Sequence, residues 1–68
     1  MLAGMKALRQ YLKKNRISQS EFARQVGVKQ PSVWYWLHGT KTPSSENLVR
    51  IADATGLTID ELLGRKAA

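Results

Sequence analysis

The chain has no cysteine and a single histidine among its 68 residues. No disulfide, CxxC zinc knuckle or thiol nucleophile is therefore available, and one histidine cannot supply a zinc site. Neither a metal nor another cofactor is expected. The lack of cysteine also fits a reducing compartment, so a cytoplasmic location is expected. Long apolar runs are missing too. Nothing approaches the ~20 residues of a membrane span, and no signal-peptide core follows Met1. No nucleophile–base pair, Gly-rich phosphate loop or carboxylate cluster is present, so the sequence does not read as an enzyme. Asp60 and Glu61 read as helix-start residues instead. No small-molecule ligand is evident. A chain this short buries on the order of 60% of its unfolded surface, which allows one small domain over residues 1–68. Without a staple, that domain needs well-packed helices or a partner.

Acidic residues are scarce, five against eleven Lys plus Arg, and the formal charge is +6. The excess is uneven. Met1 to Lys41 holds eight bases against Glu21 alone, a net +7, whereas Thr42 to Ala68 is −1. A basic half in a small domain points to a polyanion, nucleic acid before an anionic membrane surface, or else to a solvated face.

Helical periodicity and cap signals recur along the chain, and strand alternation is absent. Leu2, Met5, Leu8 and Leu12 form one apolar stripe, with Lys6, Arg9, Lys13 and Lys14 on the outer faces. Asn15-Arg16-Ile17 ends this first helix. Ser18 to Glu21 is a capping box that opens a second helix, with Phe22, Ala23 and Val26 inward and Gly27 as its stop. A third helix covers about 30–38, with Pro31 tolerated in its first turn and Gly39 beyond its end. After a loop from Thr40 to Pro43, Ser44 or Ser45 caps a fourth helix. Its core-facing residues are Leu48, Ile51 and Ala52, and Gly56 ends it. Thr58 to Glu61 is a second capping box, opening a fifth short helix that buries Leu62 or Leu63 and stops at Gly64. Residues 65–68 read as a frayed tail. The expected fold is all-α: five short helices around a central helix-turn-helix.

The stretch from Gln19 to Leu37 sets that reading. Ala23 must be small for the third helix to cross the second. Gly27 must adopt a positive φ, where a Cβ costs roughly 1 kcal/mol or more. Val28 and Val33 must be apolar to hold the two helices at a fixed angle. The run Gln19, Ala23, Gly27-Val28, Val33, Trp36, Gly39 and Pro43-Ser44 resembles the helix-turn-helix of phage Cro and repressor proteins, the lambda-repressor-like family. The segment from Glu46 to Gly64 resembles it as well, so the likeness covers about Lys6 to Gly64. There are departures. Many members carry Arg where this chain has Leu12, so no phosphate contact is carried over onto the first helix. Lys29 replaces a frequent Ser at the cap of helix three, and Leu37 replaces a frequent Glu after the Trp.

On a wheel of 100° per residue, Val33 at 0°, Leu37 at about 40° and Trp36 at about 300° share one arc, assigned to the core. Trp34 falls at about 100° and Tyr35 at about 200°. Tyr35, with Pro31 and His38, is therefore expected to face outward, and Trp34 either seals the flank or meets a partner. The resemblance implies that this surface lies in the major groove. It makes Lys29, Gln30, Pro31, Ser32, Trp34 and Tyr35 the candidate base contacts. Gln30 suits adenine, Lys29 guanine, and Pro31 a thymine methyl. Gln19, His38, Thr40 and Lys41 are the candidate phosphate contacts.

The expected function is a sequence-specific, double-stranded DNA-binding transcription regulator, most simply a phage-type repressor in a prokaryotic or phage-infected cell. One helix reads only a few base pairs, so two copies are expected on paired half-sites. Leu57, Ile59, Leu62 and Leu63 are the dimer candidates, with plain core as their alternative. A different class remains open: an antitoxin or protein-interaction adaptor using the same fold. The chain also reads as a possible N-terminal part of a longer repressor.

Overall fold

Short polar side chains set the helix starts. In the computed structural model, which describes residues 5–64, five helices and no strand occur among the described residues. They are α1 (Lys6–Asn15), α2 (Gln19–Val26), α3 (Gln30–Leu37), α4 (Ser45–Thr55) and α5 (Ile59–Leu63). Leu2 and the expected tail at 65–68 lie outside the described residues.

Ser18 Oγ accepts the Glu21 N–H at 3.1 Å, and Ser44 Oγ, the cap of α4, accepts that of Asn47 at 3.2 Å. The reciprocal capping box forms at α5 alone. There Thr58 Oγ1 accepts the Glu61 N–H at 3.0 Å, and the Glu61 carboxylate accepts the Thr58 N–H at 2.9 Å. At Ser18, only the hydroxyl half of the expected box is made. The α3 start has no side-chain cap, because Lys29 stands at that position. Pro31 fits in the first turn, where its missing N–H leaves no broken bond.

Helix ends rely on left-handed residues. Gly27 takes φ 82°, and the N–H groups of Gly27 and Val28 both reach the Ala23 carbonyl at 2.9 Å. A Cβ there would lie 3.8 Å from Arg50 Nη1, an ordinary contact, so backbone conformation rather than space demands glycine. α1 ends without glycine. Arg16 adopts φ 55°, and the Ile17 N–H returns to the Leu12 carbonyl at 2.9 Å. This closure satisfies an orphan carbonyl and turns Ile17 back against the core.

α3 packs against α2, in which Ala23 is buried, α4 backs α2, and α5 joins α4 to α1. Leu8, Phe22, Val33 and Ile51 are fully buried, each contributing about 1.5–3 kcal/mol of hydrophobic stabilisation. Leu12, Trp36 and Leu37 complete the centre of the core, as the wheel required of the last two. Ala52, expected in the core, is only partly buried, because it sits at the edge of the α4 stripe. Of the α5 pair, Leu62 is the core residue, 1% exposed, and Leu63 packs partly buried beside it. Leu62 is therefore withdrawn as a dimer contact. No charged side chain is buried among the described residues.

Candidate nucleic-acid interface

The crossing of α2 and α3 brings together two glutamines eleven positions apart. Gln30 Nε2 donates to Gln19 Oε1 at 3.3 Å. Gln19 opens α2 and Gln30 opens α3, so the bond ties the first turns of both helices. It uses one N–H of Gln30 and leaves its second N–H and its carbonyl oxygen free. That remaining donor–acceptor pair is what a bidentate contact with adenine requires. The Gln19 amide keeps both N–H groups, which can serve an anionic oxygen. Lys29 and Pro31 stand exposed beside Gln30, while Ser32 is half-buried, its N–H returned to the Lys29 carbonyl at 3.0 Å.

The other end of α3 is held from several directions. The last carbonyls of a helix lack intrahelical partners. Here the Trp34 carbonyl receives the His38 N–H at 3.0 Å and His38 Nδ1 at 2.9 Å. Tyr35 accepts from Thr40 at 3.0 Å, Trp36 accepts from Gly39 at 3.3 Å, and Leu37 accepts from the Arg9 guanidinium of α1. All four terminal carbonyls are thus satisfied, and the helix is fixed at its end as well as its start. Sequence reasoning missed Arg9. It reads as one more base on a solvated face, and nothing local signals its target 28 residues away.

An aromatic and cationic cluster covers the outer face. Trp34 is 42% exposed. Its indole stacks on the His38 ring with centroids 3.9 Å apart, and it meets the Tyr35 ring edge-on at 5.6 Å. Lys41 Nζ lies 4.8 Å above the Tyr35 ring. Tyr35, expected to face outward, is half-buried, with Trp34 edge-on to its ring and Lys41 above it. His38, Thr40 and Lys41 are all exposed at this end, so the two groups of expected phosphate residues bracket the exposed face of α3. The remaining dimer candidates are on and just before α5. Ile59 is 37% exposed, and Leu57 is partly buried against the core.

A family model described as helix-turn-helix matches residues 8–62. The chain belongs to the lambda-repressor-like helix-turn-helix family. This helix-turn-helix protein is 42% identical over 50 residues to the cryptic phage CTXphi transcriptional repressor RstR of Vibrio cholerae serotype O1, covering 74% of this chain and 45% of that protein. It is also 42% identical over 53 residues to an uncharacterized HTH-type transcriptional regulator of Haemophilus influenzae, covering 78% of this chain and 22% of that protein. The helix-turn-helix chain thus spans less than half the length of these curated relatives. Among solved structures, the P22 c2 repressor in complex with synthetic operator 9T superposes with a TM-score of 0.85 at 29% identity, covering 97% of this chain and 98% of that one. A transcriptional regulator from Listeria innocua superposes with a TM-score of 0.84 at 26% identity, covering all of this chain and 64% of that one. No helix among the described residues is long and apolar enough to cross a membrane.

Proposed function

We propose that this chain is a sequence-specific, double-stranded DNA-binding head of a transcriptional repressor, with α3 in the major groove. The observation that carries the reading is the Gln30–Gln19 bond, which aims a half-used amide outward from the first turn of α3. Gln30 pairs with adenine through its free carbonyl oxygen and remaining N–H, and Gln19 donates to a phosphate at the start of α2. The chain of amides then couples register on the backbone to readout of a base. Lys29 donates to a guanine, and the exposed Pro31 ring meets a thymine methyl. Trp34, Tyr35 and Ser32 border that contact. Thr40, Lys41 and His38 hold the backbone at the far end of the helix.

Two copies bind half-sites about 34 Å apart, one helical turn of DNA. Ile59 supplies apolar surface for their contact, with Leu57 and Leu63 beside it. Selection from random duplexes, with stoichiometry measured on the winning sequence, tests this function. A two-fold-related motif bound by two chains is expected. Enrichment of no motif would contradict it.

A further inference from the structure

His38 follows the last residue of α3, and its ring lies flat on the Trp34 indole, 3.9 Å between centroids and 17° from parallel. Its Nδ1 is 2.9 Å from the Trp34 carbonyl oxygen. A carbonyl oxygen only accepts, so the proton of a neutral imidazole sits on Nδ1 and Nε2 is left as a bare lone pair. The stack fixes the plane of the ring, and the hydrogen bond fixes its tautomer. A phosphate oxygen is also an acceptor. The neutral ring therefore offers it no donor at Nε2. The imidazolium offers one, while keeping its Nδ1 proton on the Trp34 carbonyl.

We propose that His38 engages the DNA backbone only as the imidazolium, so that binding takes up one proton per chain. This rests on the reading of α3 as the DNA-facing helix. The elements around α3 carry charges of their own. α1 brings Arg9, bound to the adjacent Leu37 carbonyl, and the exposed Lys13; the following loop brings Lys41, over the Tyr35 ring. α2 brings the exposed Glu21 and Arg24. None of these forms an ion pair with His38; Arg50 is instead paired with Glu46. The arriving phosphate supplies the anion for the second ring proton, and the cationic ring is further held by the face of the Trp34 indole. Binding that requires the charged ring is strongest in acid and weakens as pH rises through the imidazole range.

The test is the affinity of the chain for a duplex selected from random sequence, measured by fluorescence anisotropy from about pH 5.5 to about pH 8, where an imidazole changes charge. Wild type is compared with His38→Asn, which keeps an N–H donor and does not titrate, after circular dichroism has established that both fold. Wild-type affinity is expected to fall by up to about tenfold per chain per pH unit across the upper part of this range, and that of His38→Asn to stay flat. The chain holds one histidine, so no other histidine can produce the slope. A flat wild type, or a slope that survives in His38→Asn, overturns the proposal. Repeating the titration at two salt concentrations separates the two levels. Salt-dependent binding without the His38 slope overturns the proton linkage alone, whereas no salt-dependent binding at any pH overturns the reading of α3 itself.

Discussion

The Arg9 guanidinium of α1 donates to the carbonyl of Leu37, the last residue of α3, across 28 positions of sequence. A cation at a helix C-terminus also meets the negative end of the helix dipole. The contact links the end of α3 to the first helix. Arg9→Ala is expected to lower stability by about 1 kcal/mol, the worth of a partly buried hydrogen bond. For a domain of this size that is a fall of roughly 4–8 °C in Tm. Thermal denaturation followed by circular dichroism checks it; an unchanged Tm would show that the bond is idle.

Leu12 and Leu37 both lie in the core, each 5% exposed. They are also the two positions at which the family often carries Arg and Glu. Both belong to one buried cluster, and each departure from the family places an apolar side chain there in the position of a charge. Replacing a buried ion pair with apolar side chains is often neutral or stabilising, whereas an uncompensated buried charge costs about 3–5 kcal/mol. Leu12→Arg and Leu37→Glu are each expected to destabilise strongly, and the double variant to recover about 1–3 kcal/mol relative to their sum. Urea denaturation of the four proteins measures this coupling. Simple additivity would separate the two positions.

Much of the fold was legible because its determinants are local. Ser18, Ser44 and Thr58 each cap through a residue three positions later, and the wheel suffices to send Val33, Trp36 and Leu37 inward. What was not legible depends on distant neighbours. Tyr35 points outward on the wheel, yet Lys41 folds over its ring from the next loop. α5 has five residues, too few for periodicity to choose between Leu62 and Leu63, and contact with α1 and α4 decides it. At the interface, the family resemblance pointed to Gln19 and Gln30 separately. Their bond follows from the crossing angle of α2 and α3, which no local pattern encodes.

The Glu61 carboxylate accepts the Thr58 N–H, and hydrogen bonds from Thr58 hold its pKa below the ordinary glutamate value. A carboxyl with a depressed folded-state pKa adds stability above its unfolded value and loses it as pH falls through the folded value. Wild type should therefore lose stability on acidification below about pH 4.3, the ordinary glutamate pKa. Glu61→Gln should show a shallower decline there while matching wild type more closely in strong acid. Urea midpoints measured across this range check the sign. Parallel declines would contradict it.

The most direct test of α3 as the reading head compares Gln30→Ala with Lys41→Ala on the selected duplex and on random DNA, over a range of salt. Gln30→Ala is expected to cost about 1–3 kcal/mol on the selected sequence and almost nothing on random DNA. Lys41→Ala should weaken both equally and reduce the salt slope by about one. Equal losses on both duplexes for Gln30→Ala would contradict base readout from the first turn of α3.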